Sequence, residues 1–246
     1  MRYERGSEWR KWDLHVHSNA SDGTASPEQI IDEAVSKGIS VIALTDHHTV
    51  KNVDEAIRIG KENGITVLKG VEFRTEYGSS SVHMIGLFPE TIDSQSIFQN
   101  ILCPLGLSEA NIIAKGKGND LPKSDEKAFK DGMFLVQVDF KQAADLIHKH
   151  GGLIIVHAGN KSNSIEEMKH IGTASKNVQQ LFSSLVTVKE ELMKDYINIC
   201  EICKENDSED FYHDQFGLPS IIASDAHKQS EVGTKFVWIK ADPTFE

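Results

Sequence analysis

The sequence predicts an α/β fold in which helices cover a buried parallel sheet. Short and nearly continuous apolar runs, typical of strands covered on both faces, alternate with helical segments of about 10–12 residues. The chain has 246 residues, of which 39% are hydrophobic, so we predict one domain, 1–246, with a sizeable core. The seven or eight strand candidates suit a barrel as well as an open sheet.

The alternation is clearest in the first 90 residues. The predicted strands there lie at about 12–17, 40–45, 65–71 and 81–88. The first helix begins with Ser26 as N-cap, Pro27 at the first helical position and Gln29 as capping-box partner, and Gly38 ends it. A second helix is predicted over about 52–63.

Beyond residue 90 the pattern is less regular. We predict a helix at about 94–113, a polar loop with the sequence KGKGNDLPKSDEK, a helix at 139–150, and strands at 153–157, 219–224 and 236–240. Residues 160–195 have a mostly helical pattern, 196–202 form a strand or a helix end, and 204–217 form a polar loop. We interpret the regions at about 92–135 and 160–215 as insertions within the domain.

The composition limits the classes of partner. The formal net charge of −11 argues against nonspecific nucleic-acid binding by this domain alone. Bound divalent ions would make a cleft locally positive, so the acidity does not exclude a phosphorylated substrate. No run approaches the roughly 18 apolar residues of a membrane span, and MRYERGSEWRKW lacks the apolar segment of a signal peptide.

The three cysteines do not form a disulfide framework in a chain of this length. They suit a reducing compartment, and we expect a cytoplasmic protein. Cys200 and Cys203 have CxxC spacing, but no second pair exists, so we interpret them as core or helix residues rather than a zinc or redox site.

Histidines and acids at the ends of the apolar runs are the main functional signal. They are His15, His17, Asp22, His47, Glu72, His83, His157, Asp225 and His227. Side chains at the carboxyl ends of parallel strands meet at one edge of the sheet, where the active sites of such folds lie. His15 and His17 are two residues apart on one strand, so both face the same side.

A single strand histidine is usually a structural polar group, but nine such residues at one edge predict a metal cluster. Imidazole and carboxylate ligands together suit zinc, manganese or iron, and we expect two or three divalent ions. The chemistry predicted is hydrolysis by metal-activated water. No arrangement of Ser-His-Asp or Cys-His in the sequence favours a covalent nucleophile.

The motifs resemble those of the PHP (polymerase and histidinol phosphatase) family of metal-dependent phosphoesterases. DLHVHSNASDGTASPEQIIDEAVSKGISVIALTDHHTV is similar to the opening pair of family motifs, and KGVEF, SVHMIGLF, IIVHAG and IIASDAH resemble the later ones in the same order. The resemblance implies a distorted (β/α)7 barrel with a metal cluster, usually trinuclear. It also implies hydrolysis of a phosphate ester of a nucleotide, a nucleic-acid end or a small phosphorylated metabolite.

The resemblance also implies a distribution of the ligands. One ion would be held by His15, His17, Glu72 and Asp225. Glu72 would bridge to a second ion, held also by His83 and His157. A third ion would be held by Asp22, His47 and His227.

Three further residues are tentative catalytic or substrate-binding candidates. Asp46 precedes a ligand histidine and is expected to orient an imidazole. Arg74 and Lys161 lie near the predicted cleft and are candidate phosphate contacts, the alternative being ordinary surface charges. His48 matches a variable family position and is a weaker candidate.

Two alternatives stay open. The segments GSEWRKWDLHVH and FVWIKADPTFE also resemble the N-terminal module of large bacterial proteins that join a PHP domain to an SMC/AAA-like ATPase, which would make a C-terminal ATPase region a partner. Such a module could be a metal-stabilised regulatory unit without turnover. The second alternative is an amidohydrolase, which also carries HxH on its first strand and a late Asp.

Overall fold

The computed structural model describes residues 8–77, 80–118, 123–165, 189–203 and 209–245. The strands are β1 (Trp9–Val16), β2 (Val41–Leu44), β3 (Thr66–Tyr77), β4 (Ser80–Phe88), β5 (Val138–Asp139), β6 (Leu153–His157), β7 (Ile199–Glu201), β8 (Ser220–Ile221) and β9 (Val237–Lys240). The helices are α1 (Pro27–Ser36), α2 (Val53–Glu62), α3 (Ser94–Ile97), α4 (Glu109–Lys117), α5 (Asp125–Leu135), α6 (Phe140–Lys149) and α7 (Glu209–Phe216).

The strands form a nearly closed, barrel-shaped sheet. Along its path they lie in the order β8-β7-β6-β4-β3-β2-β1-β9, and β5 pairs with β3 beside this path. The α/β barrel prediction is confirmed. The interior is filled by apolar side chains from six of the strands, namely Trp12, Leu14, Val41, Ala43, Leu68, Ile85, Leu87, Ile155 and Ile221.

The expectation of a parallel sheet is wrong for two strands. Strand β4 is antiparallel to both β3 and β6, and β9 is antiparallel to β1. The reason is connectivity, because β3 ends at Tyr77 and β4 begins at Ser80. Antiparallel strands can be joined by a short hairpin, whereas parallel strands need a longer crossover connection.

The predicted elements of the first half are close to the observed ones. Helix α1 has the expected capping box, in which the Ser26 side chain accepts from the Gln29 backbone and the Gln29 side chain accepts from the Ser26 backbone. Strand β1 begins at Trp9, before the predicted start, because residues 9–12 pair with β9. Helices α1 and α2 bury their apolar faces against the outer face of the barrel through Ile30, Ile31 and Ala56.

The region at 92–135 differs from its prediction. The helix expected at 94–113 is divided into α3, a π-helical turn at Phe98–Leu102 and α4. Pro104 and Gly106 lie in the break, and Gly106 adopts a positive φ of 75° that favours glycine. The expected polar loop is helical on both sides, because α4 continues to Lys117 and α5 begins directly after its N-cap Ser124. The loop residues 119–122 lie outside the described residues.

The second irregular region is only partly described. Most of the predicted helical stretch, 166–188, lies outside the described residues, and 189–195 is helical as expected. The ambiguous segment 196–202 contains β7. The polar loop predicted at 204–217 is wrong from residue 209 on, because Glu209–Phe216 forms α7. This polar helix is anchored by Tyr212, which is buried in the main hydrophobic core.

Within the described part of the chain, no helix has the length and apolar character that crossing a membrane requires.

Candidate metal centre

Glu72 is the centre of a dense cluster of imidazoles at one end of the barrel. Its Oε2 atom lies 3.3 Å from His15 Nε2, 3.1 Å from His17 Nε2 and 3.4 Å from His47 Nδ1. Its Oε1 atom lies 2.6 Å from His83 Nδ1 and 3.5 Å from His157 Nε2. One fully buried carboxylate therefore contacts five of the predicted histidines.

Two further carboxylates complete the cluster. Asp22 lies 3.4 Å from His17 Nδ1, 3.5 Å from His47 Nε2 and 3.3 Å from His227 Nε2. Asp225 Oδ1 lies 3.3 Å from His15 Nε2 and 3.5 Å from His17 Nε2. All nine predicted ligand residues thus lie together.

The strands deliver these side chains in a regular way. In β6 the interior residue Ile155 is followed two positions along the same face by His157, and in β3 the interior residue Leu68 is followed four positions along by Glu72. Strand β4 runs in the opposite direction, so His83 precedes Ile85 instead of following it. The cluster is therefore a polar layer stacked on the apolar interior of the barrel.

A β-bulge in β1 adjusts the direction of the HxH motif. The pairing of β1 with β2 shifts register between Asp13 and Val16. Before the shift Leu14 faces the barrel interior, and after it Val16 packs against the outer helices. His15 and His17 consequently face the interior, with their Nε2 atoms 2.9 Å apart.

The donor atoms fit divalent cations. Four groups of three residues have ligand atoms within 4.8 Å of one another, and they are His15–Glu72–His157, His15–His17–Asp225, His17–His47–Glu72 and His17–Asp22–His227. Within the cluster, four buried imidazole nitrogens have no hydrogen-bond partner among the described residues, and these are His17 Nδ1, His47 Nδ1, His83 Nε2 and His157 Nε2. Buried polar atoms are nearly always satisfied, so these nitrogens indicate positions for cations.

The electrostatics of the cluster point in the same direction. Burial lowers the pKa of His15, but the carboxylates of Glu201, Asp225 and Glu72 outweigh it and raise this pKa well above its usual value. Burial also lowers the pKa of His17, but hydrogen bonds with Asp225 and Glu72 raise it to about 9. Burial alone would raise the pKa of Glu72, yet the neighbouring imidazoles lower it well below its usual value. The carboxylates therefore favour positive charge here, either protons or metal ions.

Glu201 is a member of the site that the sequence interpretation missed. It is fully buried at the end of β7, and its Oε2 atom lies 2.8 Å from His15 Nδ1. A carboxylate on the far ring nitrogen fixes the orientation of a ligand imidazole. The signal was present, because Ile199 and Glu201 repeat the spacing of Ile155 and His157.

Lys161 lies inside this network and not on a free surface. Its Nζ atom donates to Glu201 Oε1 at 2.6 Å and to Asp225 Oδ2 at 3.0 Å, and the residue is only 9% exposed. Burial lowers the pKa of Lys161, but the two carboxylates raise it above its usual value. Lys161 therefore positions Glu201, which orients His15, and Asp225, which is a candidate ligand. These two carboxylates neutralise the charge of the lysine.

Asp46 holds a loop rather than an imidazole. Its carboxylate accepts from Ser18 N at 2.8 Å, Ser18 Oγ at 2.6 Å and Ser21 Oγ at 2.5 Å. None of its hydrogen bonds within the described ranges goes to a histidine. These bonds fix the segment that carries Asp22, so the influence of Asp46 on the cluster is indirect.

Arg74 lines the cleft above the cluster. It lies on β3, two residues beyond Glu72 on the same face, and pairs across the ladder with His83. The cleft has a volume of about 480 Å³ and also contains Lys161 and Lys235. Its polar and charged lining suits a small charged ligand.

His48 points away from this cleft. It has a positive φ of 56° and lines a separate cavity of about 400 Å³ against α3, α4 and α5. Neither ring nitrogen has a hydrogen-bond partner among the described residues. Cys200 and Cys203 belong to none of the four donor groups.

The PHP domain family matches residues 13–216 of the chain. The chain belongs to this family. The match covers β1 to α7, with seven of the nine clustered residues, and the family predicted from the motifs is confirmed.

Sequence relatives match over shorter stretches. A 5'-3' exoribonuclease of Haemophilus influenzae is 44% identical over 78 residues, which are 32% of this chain and 28% of that protein. A 3',5'-nucleoside bisphosphate phosphatase of Chromobacterium violaceum is 40% identical over 75 residues, which are 30% of this chain and 26% of that protein. The matched stretch is thus little more than a quarter of either relative.

Solved structures share the fold over most of the chain. A Bifidobacterium adolescentis protein assigned as a metal-dependent phosphoesterase has a TM-score of 0.62 at 15% identity and covers 92% of both chains. An amidohydrolase of Chromobacterium violaceum, with sulfate bound and no metal, has a TM-score of 0.60 at 20% identity and covers 90% of this chain and 89% of that one. At these identities the likeness concerns the fold.

Proposed function

We propose that this protein is a metal-dependent phosphoesterase. The observation that carries the proposal is the convergence of nine imidazole and carboxylate side chains, four of whose buried nitrogens accept or donate no hydrogen bond among the described residues, in a PHP-family barrel. Divalent ions bound there would activate water as a nucleophile and neutralise charge on the phosphoryl oxygens.

We propose that all nine residues hold two or three ions of manganese, zinc or iron. The geometry supports one set around His15, His17 and Asp225, and another around Asp22, His17 and His227. His47 directs Nε2 towards Asp22 and Nδ1 towards Glu72, and ligation through Nδ1 beside Glu72 would modify the distribution implied by the family resemblance. Glu72 supports the bridging role, because its two oxygens face different imidazoles.

The chain's own residues would share the remaining work. Arg74 would bind the phosphoryl group, because its guanidinium lines the cleft beside the cluster. Lys161 and Glu201 would hold His15 and Asp225 in place, and Asp46 would fix the loop of Asp22. These roles separate substrate binding, which falls to one arginine, from the positioning of ligands.

The substrate class we propose is a phosphate ester of a nucleotide, a nucleic-acid end or a small metabolite. Support comes from relatives named as an exoribonuclease and as a nucleoside bisphosphate phosphatase. The three cysteines form no disulfide with one another, which supports a reducing, cytoplasmic location.

The test combines metal analysis with two model substrates. The purified protein is depleted with chelator and reloaded with Mn²⁺, its metal content is measured, and hydrolysis of p-nitrophenyl phosphate and bis-p-nitrophenyl phosphate is followed. We expect two or three bound ions and metal-dependent hydrolysis of at least one ester. The metal-depleted protein is the control.

Other outcomes would favour the alternatives. Stable metal binding without turnover of either ester, nucleotides or single-stranded DNA would favour a regulatory module, which the resemblance to an ATPase-linked domain suggests. Hydrolysis of amides without phosphatase activity would favour an amidohydrolase, the name carried by one protein of the same fold.

A further inference from the structure

An exposed aromatic side chain lies beside the cleft, at the end of the inserted helix α5. Phe134 is 49% exposed and the next residue, Leu135, is 54% exposed. The guanidinium carbon of Arg74 lies 4.9 Å from the centre of the Phe134 ring. Large apolar side chains are costly to leave in water, and two neighbouring ones next to a substrate cleft indicate a contact surface.

Arg74 connects this surface to the metal centre. It stands opposite His83 in the β3–β4 ladder, and its side chain lines the cleft that contains Glu72. Its Nε atom is buried without a hydrogen-bond partner, and no carboxylate within the described ranges forms an ion pair with it. Arg74 is therefore a cation in the cleft that is available for an anion, unlike Lys161, which is fully engaged.

An aromatic face next to an anion-binding guanidinium matches the chemistry of a nucleotide. A nucleotide has a flat π-system within a few ångströms of a charged phosphate, and proteins bind such molecules by stacking bases on exposed aromatic rings. We propose that Phe134 is a stacking surface for the base of a nucleotide, or of a nucleic-acid end, whose phosphate lies at Arg74. This proposal rests on the proposed phosphoesterase function and narrows its substrate class.

The competing explanation is that Phe134 only holds Arg74 in position by a cation–π contact. The two explanations predict different patterns. Loss of a positioning contact would weaken every phosphate ligand by the same factor. Loss of a stacking surface would weaken ligands that carry a base and leave the others unchanged.

The experiment measures equilibrium binding of AMP and of ribose 5-phosphate, which carries the same phosphate on the same sugar without the base. Titration calorimetry with the Ca²⁺-loaded protein makes the measurement independent of turnover. The variants are Phe134→Ala, Phe134→Trp and, as a matched control, Phe211→Ala. Phe211 is 47% exposed on α7 and makes its ring contacts with Tyr212 and Phe216.

We expect the wild-type protein to prefer AMP to ribose 5-phosphate, and Phe134→Ala to lower this preference by roughly 10-fold. Phe134→Trp should retain the preference, and Phe211→Ala should leave it unchanged. Circular dichroism establishes that each variant is folded, and Phe134→Leu replaces the alanine variant if α5 unfolds.

Equal losses for both ligands, no loss for either, or a wild-type protein that does not prefer AMP would each overturn the proposal. Base-dependent binding in a protein that hydrolyses no ester would leave the stacking surface standing and remove the proposed function. Hydrolysis of an ester without preferential binding of AMP would support the proposed function and rule out the stacking surface.

Discussion

The barrel segment at 9–88 and the helical segment at 92–135, which we predict to be an inserted segment, differ in how their side chains are stabilised. In the first, Glu72, His15 and His17 are buried and joined by contacts of about 3 Å. In the second, helices α4 and α5 pack on each other and leave Phe134 at the surface. The barrel segment contains a preorganised polar cluster. The inserted segment places an exposed helix end next to the cleft at this cluster.

We therefore expect the barrel segment to determine metal binding and the inserted segment to determine which substrate binds. A polar cluster buried on top of an apolar interior tolerates little change, because each group satisfies several others. An exposed helical insertion can vary without disturbing those contacts. If that division is correct, substitutions in the two segments must separate metal binding from substrate choice, and the following experiments test it in order of expected effect.

The largest effect is expected for Glu72→Gln. The neutral amide removes the negative charge that faces five imidazoles, so we expect loss of bound metal. Phosphatase activity should fall by more than about 100-fold, because residues that only hydrogen-bond to metal ligands already cost roughly 10–100-fold when they are replaced. Glu76→Gln, on the same strand and face but exposed, is the control. Metal analysis and kinetics of both variants check the prediction, and a Glu72→Gln protein with full metal content would contradict it.

Glu201→Gln and Lys161→Met are expected to have intermediate effects. Both variants disturb the network that orients His15 and Asp225, so metal affinity should fall by roughly 10–100-fold. Competition with a calibrated chelator measures this directly. Lys194→Met, at an exposed helical lysine, should leave the affinity unchanged. If Lys161→Met weakens substrate binding but not metal binding, the lysine contacts phosphate after all.

Removing the metal should make stability depend on pH. The pKa of His17 is raised from 6.5 to about 9 in the fold, so its contribution to stability is complete below about pH 6.5 and is lost as the pH rises through 9. We expect the Tm of the chelated protein to fall by roughly 5 °C between pH 6.5 and 9.5. In the Mn²⁺-loaded protein the Tm should fall less over the same pH range. An equal fall of Tm in both forms would argue against His17 as a metal ligand.

The smallest effect is expected within the insertion, for Gly132→Ala. Glycine to alanine in a helix usually stabilises by about 1 kcal/mol. Here the added methyl would lie 2.0 Å from the carbonyl oxygen of Ile112 on α4, so we expect destabilisation of about 1–3 kcal/mol. Thermal unfolding measures the change, with the exposed Lys127→Ala as control. Metal content should stay normal, and its loss would show that the two segments are coupled.

The sequence predicted the barrel segment well because its patterns reflect local physics. Apolar runs that end in histidine or acid identified both the strands and the clustered residues, and Ser26, Pro27 and Gln29 located α1. The reversal of β4 was not predicted, although the absence of a helical segment between β3 and β4 was the available sign.

Other features depend on tertiary contacts that sequence patterns do not contain. Helices α5 and α7 are rich in polar residues, and they are held by a few buried residues such as Met133 and Tyr212. Glu201 could have been found from its spacing. The pairing of Lys161 could not, because it joins groups from three separate elements.

The late position of Asp225 and His227 in the chain has a consequence for synthesis in the cell. These residues contact His15, His17 and Asp22, which lie about 200 residues earlier in the chain and leave the ribosome before them. A nascent chain can thus form the early strands while the cluster still lacks the Asp225 carboxylate and the His227 imidazole. Full binding of the proposed ions would have to wait until Asp225 and His227 have been synthesised, so metal supply would act after the barrel strands have formed.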